Sequence, residues 1–499
     1  MKNATLRINT TNPIAAIDPR LYGSFVEHLG RAIYSGLYQP GHPSADADGF
    51  RGDVLELVRE LKVPVIRYPG GNFVSGYDWE DGIGPQNGRP VRLDLAWATQ
   101  ESNQVGLDEF HDWLDKTGAT LMYAINLGTR GIDEARNIIE YANHPGGTYY
   151  SELRKKHGRE QPYDIKLWCL GNEMDGPWQI GAKTATEYGR LAAECAKVMK
   201  MYDPDIELVA CGSSHQGMPS FGDWEREVLE HTYEHVEYLS LHSYYSNAEN
   251  DSPAYLAKNL AMDDFIKTVV AICDEVKAKK GSQKDIMLSF DEWNVWYHSL
   301  GNDRNAPRFG PEPPPLLEDI YNFEDALLVG GLLITLIKNA DRVKIACLAQ
   351  LINVIAPIMT EPDGGAWRQT IFYPFLHATT YGQGMALNVD VSCPAYDCKD
   401  RQGVPYLDSV AVYNAAKNET TLFVLNRDLH TDMETKITLE GATELTQHIS
   451  YAGHDLKATN GPGAELICPE NMPCAKMEDG TVTLSIAKAS WNVFRFRLS

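Results

Sequence analysis

The chain has 499 residues, of which 43% are hydrophobic and 23% charged, and its net charge is -23. This length is too great for one small core, so we expect a large domain and a smaller one. The acidic composition excludes a nucleic-acid or anionic-membrane partner, because both need a basic face, but it allows a neutral ligand such as a sugar. No run of about 18 apolar residues occurs, so no membrane span is predicted.

The N-terminus and the cysteines indicate the compartment. Residues 1–11 lack the apolar core of a signal peptide. The nine cysteines are an odd number, and Cys169, Cys211 and Cys347 lie inside apolar runs, which is typical of reduced thiols. We therefore predict a cytoplasmic protein. A zinc site is an alternative interpretation of four C-terminal cysteines, although their spacings are loose: Cys393, Cys398, Cys468 and Cys474.

Short apolar runs alternate with amphipathic helical patterns between about residues 21 and 381. The strand candidates are Leu21–Glu27, Val63–Tyr68, Thr120–Asn126, Ile165–Leu170, Ile206–Cys211, Tyr238–His242, Ile286–Phe290 and Lys344–Leu351. Eight strands, each followed by a helix, most economically form a (β/α)8 barrel of the α/β class. A doubly wound open sheet is the alternative, but no Gly-x-Gly-x-x-Gly or Walker loop follows a strand.

Two further stretches complete the barrel region. The longest apolar stretch, Ala326–Ile337, is interrupted by glycines and predicts a buried helix. The proline-rich stretch Pro311–Pro315 predicts a loop after the seventh strand.

The pattern changes to a period of two after about Gly384. Val482, Leu484 and Ile486 alternate with polar residues, which predicts an antiparallel C-terminal β-sandwich. Leu6 and Ile8 alternate in the same way, so we expect the first strand to pair into that sandwich. The predicted domains are a barrel over residues 13–383 and a sandwich formed by residues 1–12 with 384–499.

Two acidic residues end apolar strand candidates. Glu173 follows Trp168-Cys169-Leu170-Gly171-Asn172, and Glu292 follows Leu288-Ser289-Phe290-Asp291. A carboxylate is costly to desolvate, so packing alone does not place one at the end of a core strand. In a barrel, both would face one pocket at the C-terminal ends of the strands. A pair of facing carboxyls is the equipment of a retaining or inverting glycosidase.

Most other strand ends also carry polar residues, which predicts a pocket that binds hydroxyl groups. They are Glu27, His28, Arg67, Asn72, Asn126, Asn172, His242, Tyr244 and Gln350. Each has a plainer interpretation alone: a histidine here is more often a satisfied interior residue, and an amide can cap backbone groups. The Gly70-Gly71 pair alone indicates only a turn. Three tryptophans can either pack or line the pocket: Trp97, Trp178 and Trp296.

The two acids need different protonation states at one pH. One must stay ionised to attack the anomeric carbon, and a nearby guanidinium such as Arg67, or a hydrogen bond from Tyr244, favours that form. The other must hold a proton for the departing oxygen. The residues alone do not assign these two roles to Glu173 and Glu292.

The chain resembles the family 51 glycoside hydrolases, the intracellular-type α-L-arabinofuranosidases. The matching segments are Tyr22-Gly23-Ser24-Phe25-Val26-Glu27-His28, Ile66-Arg67-Tyr68-Pro69-Gly70-Gly71-Asn72-Phe73, Trp168-Cys169-Leu170-Gly171-Asn172-Glu173, His242-Ser243-Tyr244-Tyr245 and Asp291-Glu292-Trp293-Asn294-Val295-Trp296. The resemblance covers essentially the whole chain.

The resemblance implies a role for each site residue. Glu173 would be the acid/base and Glu292 the nucleophile of a double displacement, with Arg67 beside the nucleophile. The furanose would be held by Glu27, Asn72, Asn172, Tyr244 and Gln350, with Trp97, Trp178 and Trp296 as walls. It further implies an exo-acting enzyme on arabinose-containing oligosaccharides, without metal or cofactor, that forms a homo-oligomer, often a hexamer. Another retaining glycosidase, such as a β-xylosidase or endoglucanase, and a non-catalytic carbohydrate-binding barrel are the alternatives.

Overall fold

The computed structural model describes residues 2–301 and 308–499. Its larger part is a closed barrel of eight parallel strands that follow one another around the barrel in chain order. The strands are Gly23–Phe25, Val65–Tyr68, Thr120–Ile125, Leu167–Leu170, Glu207–Ala210, Tyr238–Tyr245, Met287–Val295 and Val343–Ala349. The predicted (β/α)8 barrel is therefore confirmed, and the open-sheet alternative is wrong.

Three strands differ most in length from their predictions. The first is only Gly23–Phe25, because Leu21 and Tyr22 belong to a 3-10 helix, Pro19–Tyr22. The sixth and seventh, Tyr238–Tyr245 and Met287–Val295, run further because they keep pairing past the barrel wall. Glu292 therefore lies inside a strand rather than after one, directly beside His242 of the neighbouring strand.

Helices cover the outside of the barrel and join it to the second domain. They are Gly52–Leu61, Leu107–Thr117, Ile132–Asn143, Tyr149–Lys156, Ala185–Tyr202, Asp223–Thr232, Ser252–Leu256, Lys258–Lys280, Phe323–Lys338 and Phe372–Tyr381. Helix Phe323–Lys338 is buried along its length, as its apolar sequence predicts. A Cβ added at Gly330 would lie 2.5 Å from the Trp491 ring, so glycine allows this helix to contact the C-terminal sheet closely. The segment Pro311–Pro315 lies outside helices and strands, as predicted.

The C-terminal domain is built on one nine-stranded sheet. Its strands are Lys2–Ala16, Met385–Ser392, Leu407–Asn414, Glu419–Asn426, Met433–Thr438, Ala442–Tyr451, Glu470–Met472, Thr481–Ile486 and Ser490–Leu498. The N-terminal strand lies within it, antiparallel to Met385–Ser392 and parallel to Met433–Thr438. The predicted C-terminal β-sandwich is thus confirmed as a mainly-sheet domain that includes the N-terminal strand, and its nine strands are hydrogen-bonded into one sheet. The parallel pair differs from the expected antiparallel pattern. The division at residues 12 and 384 stays a prediction.

Period-two alternation explains both faces of this sheet. Ala411 and Leu422 belong to the domain's own core, together with Leu6 of the N-terminal strand. Their neighbours Val410 and Phe423 belong to the core shared with the barrel. Successive residues of a strand point to opposite faces, so one sheet closes its own core and also covers the barrel's helices.

None of the helices that the structure describes is both long and apolar enough to span a membrane. The nine cysteines are free thiols. Among the described residues, the only group of three or more acidic, histidine or cysteine side chains close enough to hold a metal lies in the barrel and contains no cysteine. In the described part of the chain, Cys393, Cys398, Cys468 and Cys474 do not form such a group.

Candidate active site

Glu292 lies at the bottom of a pocket at the C-terminal end of the barrel. Its side chain is almost fully buried, and both of its oxygens have partners. Oε1 accepts a hydrogen bond of 2.8 Å from Arg67, and Oε2 accepts one of 2.8 Å from the Tyr244 hydroxyl. Burial raises the pKa of Glu292, whereas the positive charges of His242 and Arg67 counteract this rise. The partners thus favour a carboxylate at a site where desolvation opposes one.

Glu173 enters the same pocket from the loop after the fourth strand. Its backbone has φ of +46°, and Gly171 before it has φ of +88°. This left-handed conformation is costly for a residue with a side chain. The Glu173 side chain is partly exposed, and its oxygens accept hydrogen bonds from His242 Nδ1 at 2.9 Å and Trp178 Nε1 at 2.7 Å.

The two acids face one another closely enough to share one reacting atom. An oxygen of Glu173 and an oxygen of Glu292 lie within 4.8 Å of each other. Retaining glycosidases hold their carboxyls about 5–5.5 Å apart, whereas inverting ones need roughly 6.5–9.5 Å to admit a water. The separation therefore fits direct attack by one carboxylate rather than attack by an intervening water.

Arg67 links Glu292 to the loop that follows the fourth strand. Its guanidinium is buried and donates to Glu292 and, at 2.7 Å, to Oδ1 of Asn172. It also lies 3.6 Å from Asp291. A planar, permanently charged group suits this role because it can fix several acceptors at once.

His242 bridges the two acids from the sixth strand. Nδ1 contacts Glu173, and Nε2 contacts Asp291 at 3.1 Å. Burial opposes the charge on this ring, but the charge of Glu292 and the hydrogen bonds to Asp291 and Glu173 raise the pKa of His242 to about 10. The ring is therefore an imidazolium that donates from both nitrogens. It is an interior histidine with satisfied partners, and those partners are the site's own acids.

Glu173, His242 and Glu292 are close enough to hold a cation. A histidine binds metal only through a free ring nitrogen of its neutral form. Both nitrogens of His242 are already occupied by carboxylates, so this arrangement fits an ion-pair network rather than a metal site.

Glu27 closes the opposite side of the pocket. Oε1 accepts hydrogen bonds from Phe73 N at 2.9 Å and from Trp97 Nε1 at 2.8 Å, while Gln350 contacts both the Glu27 backbone and its carboxyl. Burial raises the pKa of Glu27 to about 8, although these N–H donors oppose the rise. A neutral carboxyl can both donate and accept a hydrogen bond, which suits recognition of a hydroxyl group.

The Gly70-Gly71 pair makes room for Glu27. A Cβ at Gly71 would lie 2.7 Å from a Glu27 carboxyl oxygen, and one at Gly70, whose φ is +155°, would lie 2.7 Å from Glu27 Cγ. The pair is more than a turn, because any side chain here would displace a pocket residue.

Asn172 and Asn72 complete the polar wall. The Asn172 Nδ2 group is buried and has no hydrogen-bond partner within residues 2–301 and 308–499, although its Oδ1 accepts from Arg67. A buried unpaired donor is costly unless a ligand satisfies it. Asn72 lines the pocket beside Gly71.

The structure brings the sequence-predicted residues together. The cavity has a volume of about 590 Å³, and it is lined by Glu27, Asn72, Trp97, Glu173, Trp178, Tyr244, Glu292, Trp296 and Gln350. Arg67 and Asn172 lie behind this wall. His28 and Asn126 lie outside the cavity lining: His28 is paired with Glu101 and Tyr68, and Asn126 caps backbone groups of its own loop. Their plainer interpretations are confirmed.

Sequence reasoning did not single out several wall residues, because they lie outside the strand-end motifs or, like Phe25 and Ser243, stand inside one beside a more polar residue. They are Phe25, Leu29, Ser214, His215, Gln216, Ser243, Leu317 and Ile355. The only local signal for the Ser214–Gln216 group is its position after the fifth strand, where a barrel loop contributes to the pocket. Sequence reasoning also assigned no role to Asp291, which pairs with His242, because it directly precedes Glu292 in the chain.

Comparison with known proteins gives a consistent result. Two family models match, the alpha-L-arabinofuranosidase 1 domain over residues 57–257 and the alpha-L-arabinofuranosidase C-terminal domain over residues 291–490. The chain is 57% identical to the intracellular exo-α-(1→5)-L-arabinofuranosidase 1 of Bacillus subtilis, covering 100% of this chain and 99% of that protein. It is 57% identical to an enzyme of the same description from Acetivibrio thermocellus, covering 99% of each.

A solved structure extends the likeness to the fold. The family 51 α-L-arabinofuranosidase of Bifidobacterium longum superposes with a TM-score of 0.96 at 43% identity, covering 100% of both chains.

Proposed function

The chain belongs to the family 51 α-L-arabinofuranosidases, and from this premise we propose that it removes terminal α-L-arabinofuranosyl residues with retention of configuration. The observation that carries the mechanism is the approach of Glu173 and Glu292 to within 4.8 Å across one pocket. The retaining reaction is a double displacement through a covalent arabinosyl-enzyme.

In the first step Glu292 attacks the anomeric carbon. Its geometry supports this role, because Arg67 and Tyr244 hold one oxygen each and thereby fix the carboxylate and favour its ionised form. The bond from the anomeric carbon to the departing oxygen breaks as the bond to Glu292 forms. Its electron pair leaves with that oxygen.

Glu173 serves as the acid and then as the base. It gives its proton to the departing oxygen in the first step and takes one from water in the second, when the water oxygen displaces Glu292. Its partial exposure at the pocket mouth supports this role, since both the aglycone and the water must reach it.

The furanose would occupy the buried side of the pocket. Glu27 and Gln350 would form hydrogen bonds with hydroxyl groups of the sugar there. The Nδ2 of Asn172, which has no partner among the described residues, offers a further donor near Glu292. Asn72 and Tyr244 complete the ring of polar contacts, with Trp97 and Trp296 as apolar walls. Glu27 is buried and closes this side of the pocket, which supports exo action.

The natural substrates we propose are arabinose-containing oligosaccharides derived from arabinan or arabinoxylan. Two relatives are named as intracellular exo-α-(1→5) enzymes, which supports this substrate class and a cytoplasmic location. Family resemblance supports a homo-oligomer, often a hexamer. Sedimentation of the purified protein measures that number directly.

Trapping tests the nucleophile. A 2-fluorinated arabinofuranoside with a good leaving group should inactivate the enzyme and add one sugar to the peptide containing Glu292. Glu292→Gln should remain unlabelled and lose turnover on the order of ten-thousandfold. Assays with aryl arabinofuranoside and aryl xyloside in parallel separate this activity from that of a β-xylosidase. Sugar binding without hydrolysis would instead indicate a non-catalytic barrel.

A further inference from the structure

Trp178 is placed unusually for a pocket wall. Its side chain is 48% exposed, yet its indole N–H donates a 2.7 Å hydrogen bond to Oε2 of Glu173. The other Glu173 oxygen accepts from the imidazolium of His242. Two N–H donors, one of them charged, therefore surround the Glu173 carboxyl, and both of its oxygens act as acceptors. A base accepts a proton in this way, whereas an acid must turn a donor of its own towards the departing oxygen.

The Trp178 ring can leave this position without moving its loop. The loop is fixed by backbone bonds from Gly176 to Glu173 and from Lys183 to Met174, and by Asp175, which accepts hydrogen bonds from Ser214. The exposed ring itself stacks on His215, with centroids 6.2 Å apart and planes 7° apart. Rotation of the side chain alone would release Glu173 Oε2.

Gly176 indicates that this folded-back ring position is built into the loop. A Cβ at Gly176 would lie 2.6 Å from the indole of Trp178. The Trp178 ring packs directly against the Gly176 backbone, and this position brings the indole N–H to the Glu173 carboxyl. The same ring and His215 line the cavity next to Glu173, where an aglycone must lie.

We propose that Trp178 is a displaceable hydrogen-bond donor that switches Glu173 between its two roles. The inference rests on the proposed function. The aglycone displaces the indole from Oε2, so that the proton on Glu173 can pass to the glycosidic oxygen. When the aglycone departs, the indole returns, and its N–H stabilises the carboxylate that takes a proton from water. The proton that Glu173 takes from water replaces the one it gave to the departing oxygen, so Glu173 ends each cycle as the acid with which it began.

Several other titratable groups lie around Glu173 and contribute to its environment. They are His242 and Tyr244 on the sixth strand, Glu292 on the seventh, Asp175 in the same loop, and His215 behind the Trp178 ring. Trp178→Phe removes none of these groups and keeps a ring that can stack on His215. A change in pH dependence in this variant therefore reports the indole N–H.

The test is Trp178→Phe, which keeps an aromatic ring and removes the donor. For an alkyl arabinofuranoside, the alkaline limb of kcat/KM should move to higher pH by about one unit, because the free enzyme then holds its acid proton more tightly. For 4-nitrophenyl arabinofuranoside, whose departure needs little acid, hydrolysis of the arabinosyl-enzyme should slow about tenfold and give a larger pre-steady-state burst.

Trp296→Phe is the matched control. The indole N–H of Trp296 has no hydrogen-bond partner among the described residues, so its loss should leave the alkaline limb at the parent's pH even if KM changes. The proposed switch would be overturned if Trp178→Phe left the alkaline limb of the kcat/KM pH profile at the parent's pH and did not change the hydrolysis rate of the arabinosyl-enzyme. An equal decrease of kcat/KM at every pH would also overturn it, because this is expected of a residue that only contacts the substrate. A parent that does not hydrolyse arabinofuranosides would refute the proposed function instead.

Discussion

The Tyr244 hydroxyl donates a 2.8 Å hydrogen bond to Oε2 of Glu292, the oxygen that Arg67 does not hold. The two donors come from the sixth and second strands and fix the carboxylate from different directions. Glu292 thus has one oxygen held by a permanent charge and the other by a neutral hydroxyl.

Removal of the Tyr244 hydroxyl should destabilise the ionised form of Glu292 relative to its protonated form. We expect Tyr244→Phe to lower kcat/KM about tenfold to a hundredfold and to move its acidic limb to higher pH by about one unit, because a carboxylate loses a hydrogen bond. The measurement is the pH profile of kcat/KM with an aryl arabinofuranoside. Tyr245→Phe is the control, since Tyr245 points to the other face of the same strand. Equal displacement in both variants would contradict the assignment.

Removal of the acid/base should affect substrates according to their leaving groups. With Glu173→Ala we expect a loss of about 10²- to 10⁴-fold on an alkyl arabinofuranoside and a far smaller loss of the first step on an activated aryl one. Azide should restore turnover of the aryl substrate, because it attacks the arabinosyl-enzyme without a base. Equal losses on both substrates, with no response to azide, would rule out the role of Glu173.

The raised pKa of Glu27 should appear in stability. Between pH 4.5 and about 8 the folded protein keeps a proton on Glu27 that the unfolded chain has released. Stability therefore falls as pH rises through this window, by about 1.4 kcal/mol per pH unit from this group. Glu27→Gln carries no such proton. The melting temperature of the parent, relative to that of the variant, should therefore decrease as the pH rises from 5 to 8. Parallel unfolding curves would contradict the raised pKa.

The contact between Gly330 and Trp491 should not tolerate a methyl group. An added Cβ would lie 2.5 Å from a ring that is fully buried between the domains, so Gly330→Ala should lower the free energy of unfolding by about 1–3 kcal/mol through overpacking. Gly189→Ala is the control, because its Cβ would meet the partly exposed ring of His231, which can move aside. Denaturant unfolding of both variants measures the difference, and equal effects would argue against a rigid contact.

The sequence by itself determined the architecture and the two acids. Alternation with a period of two and helical spacing depend on neighbouring residues, so the eight barrel strands, the buried helix around Gly330 and the C-terminal sheet could be predicted locally. A carboxyl after an apolar run is also a local signal, and Glu173 and Glu292 do enter one pocket.

Only the tertiary structure decided how these groups are coupled. Barrel closure places Arg67 against Glu292 and Asn172, and strand register sets His242 beside Glu292. The bond from Trp178 to Glu173 depends on a loop that folds back over Gly176. These contacts join segments far apart in the chain or turn on a few backbone angles, and residue patterns carry no information about distances of that kind.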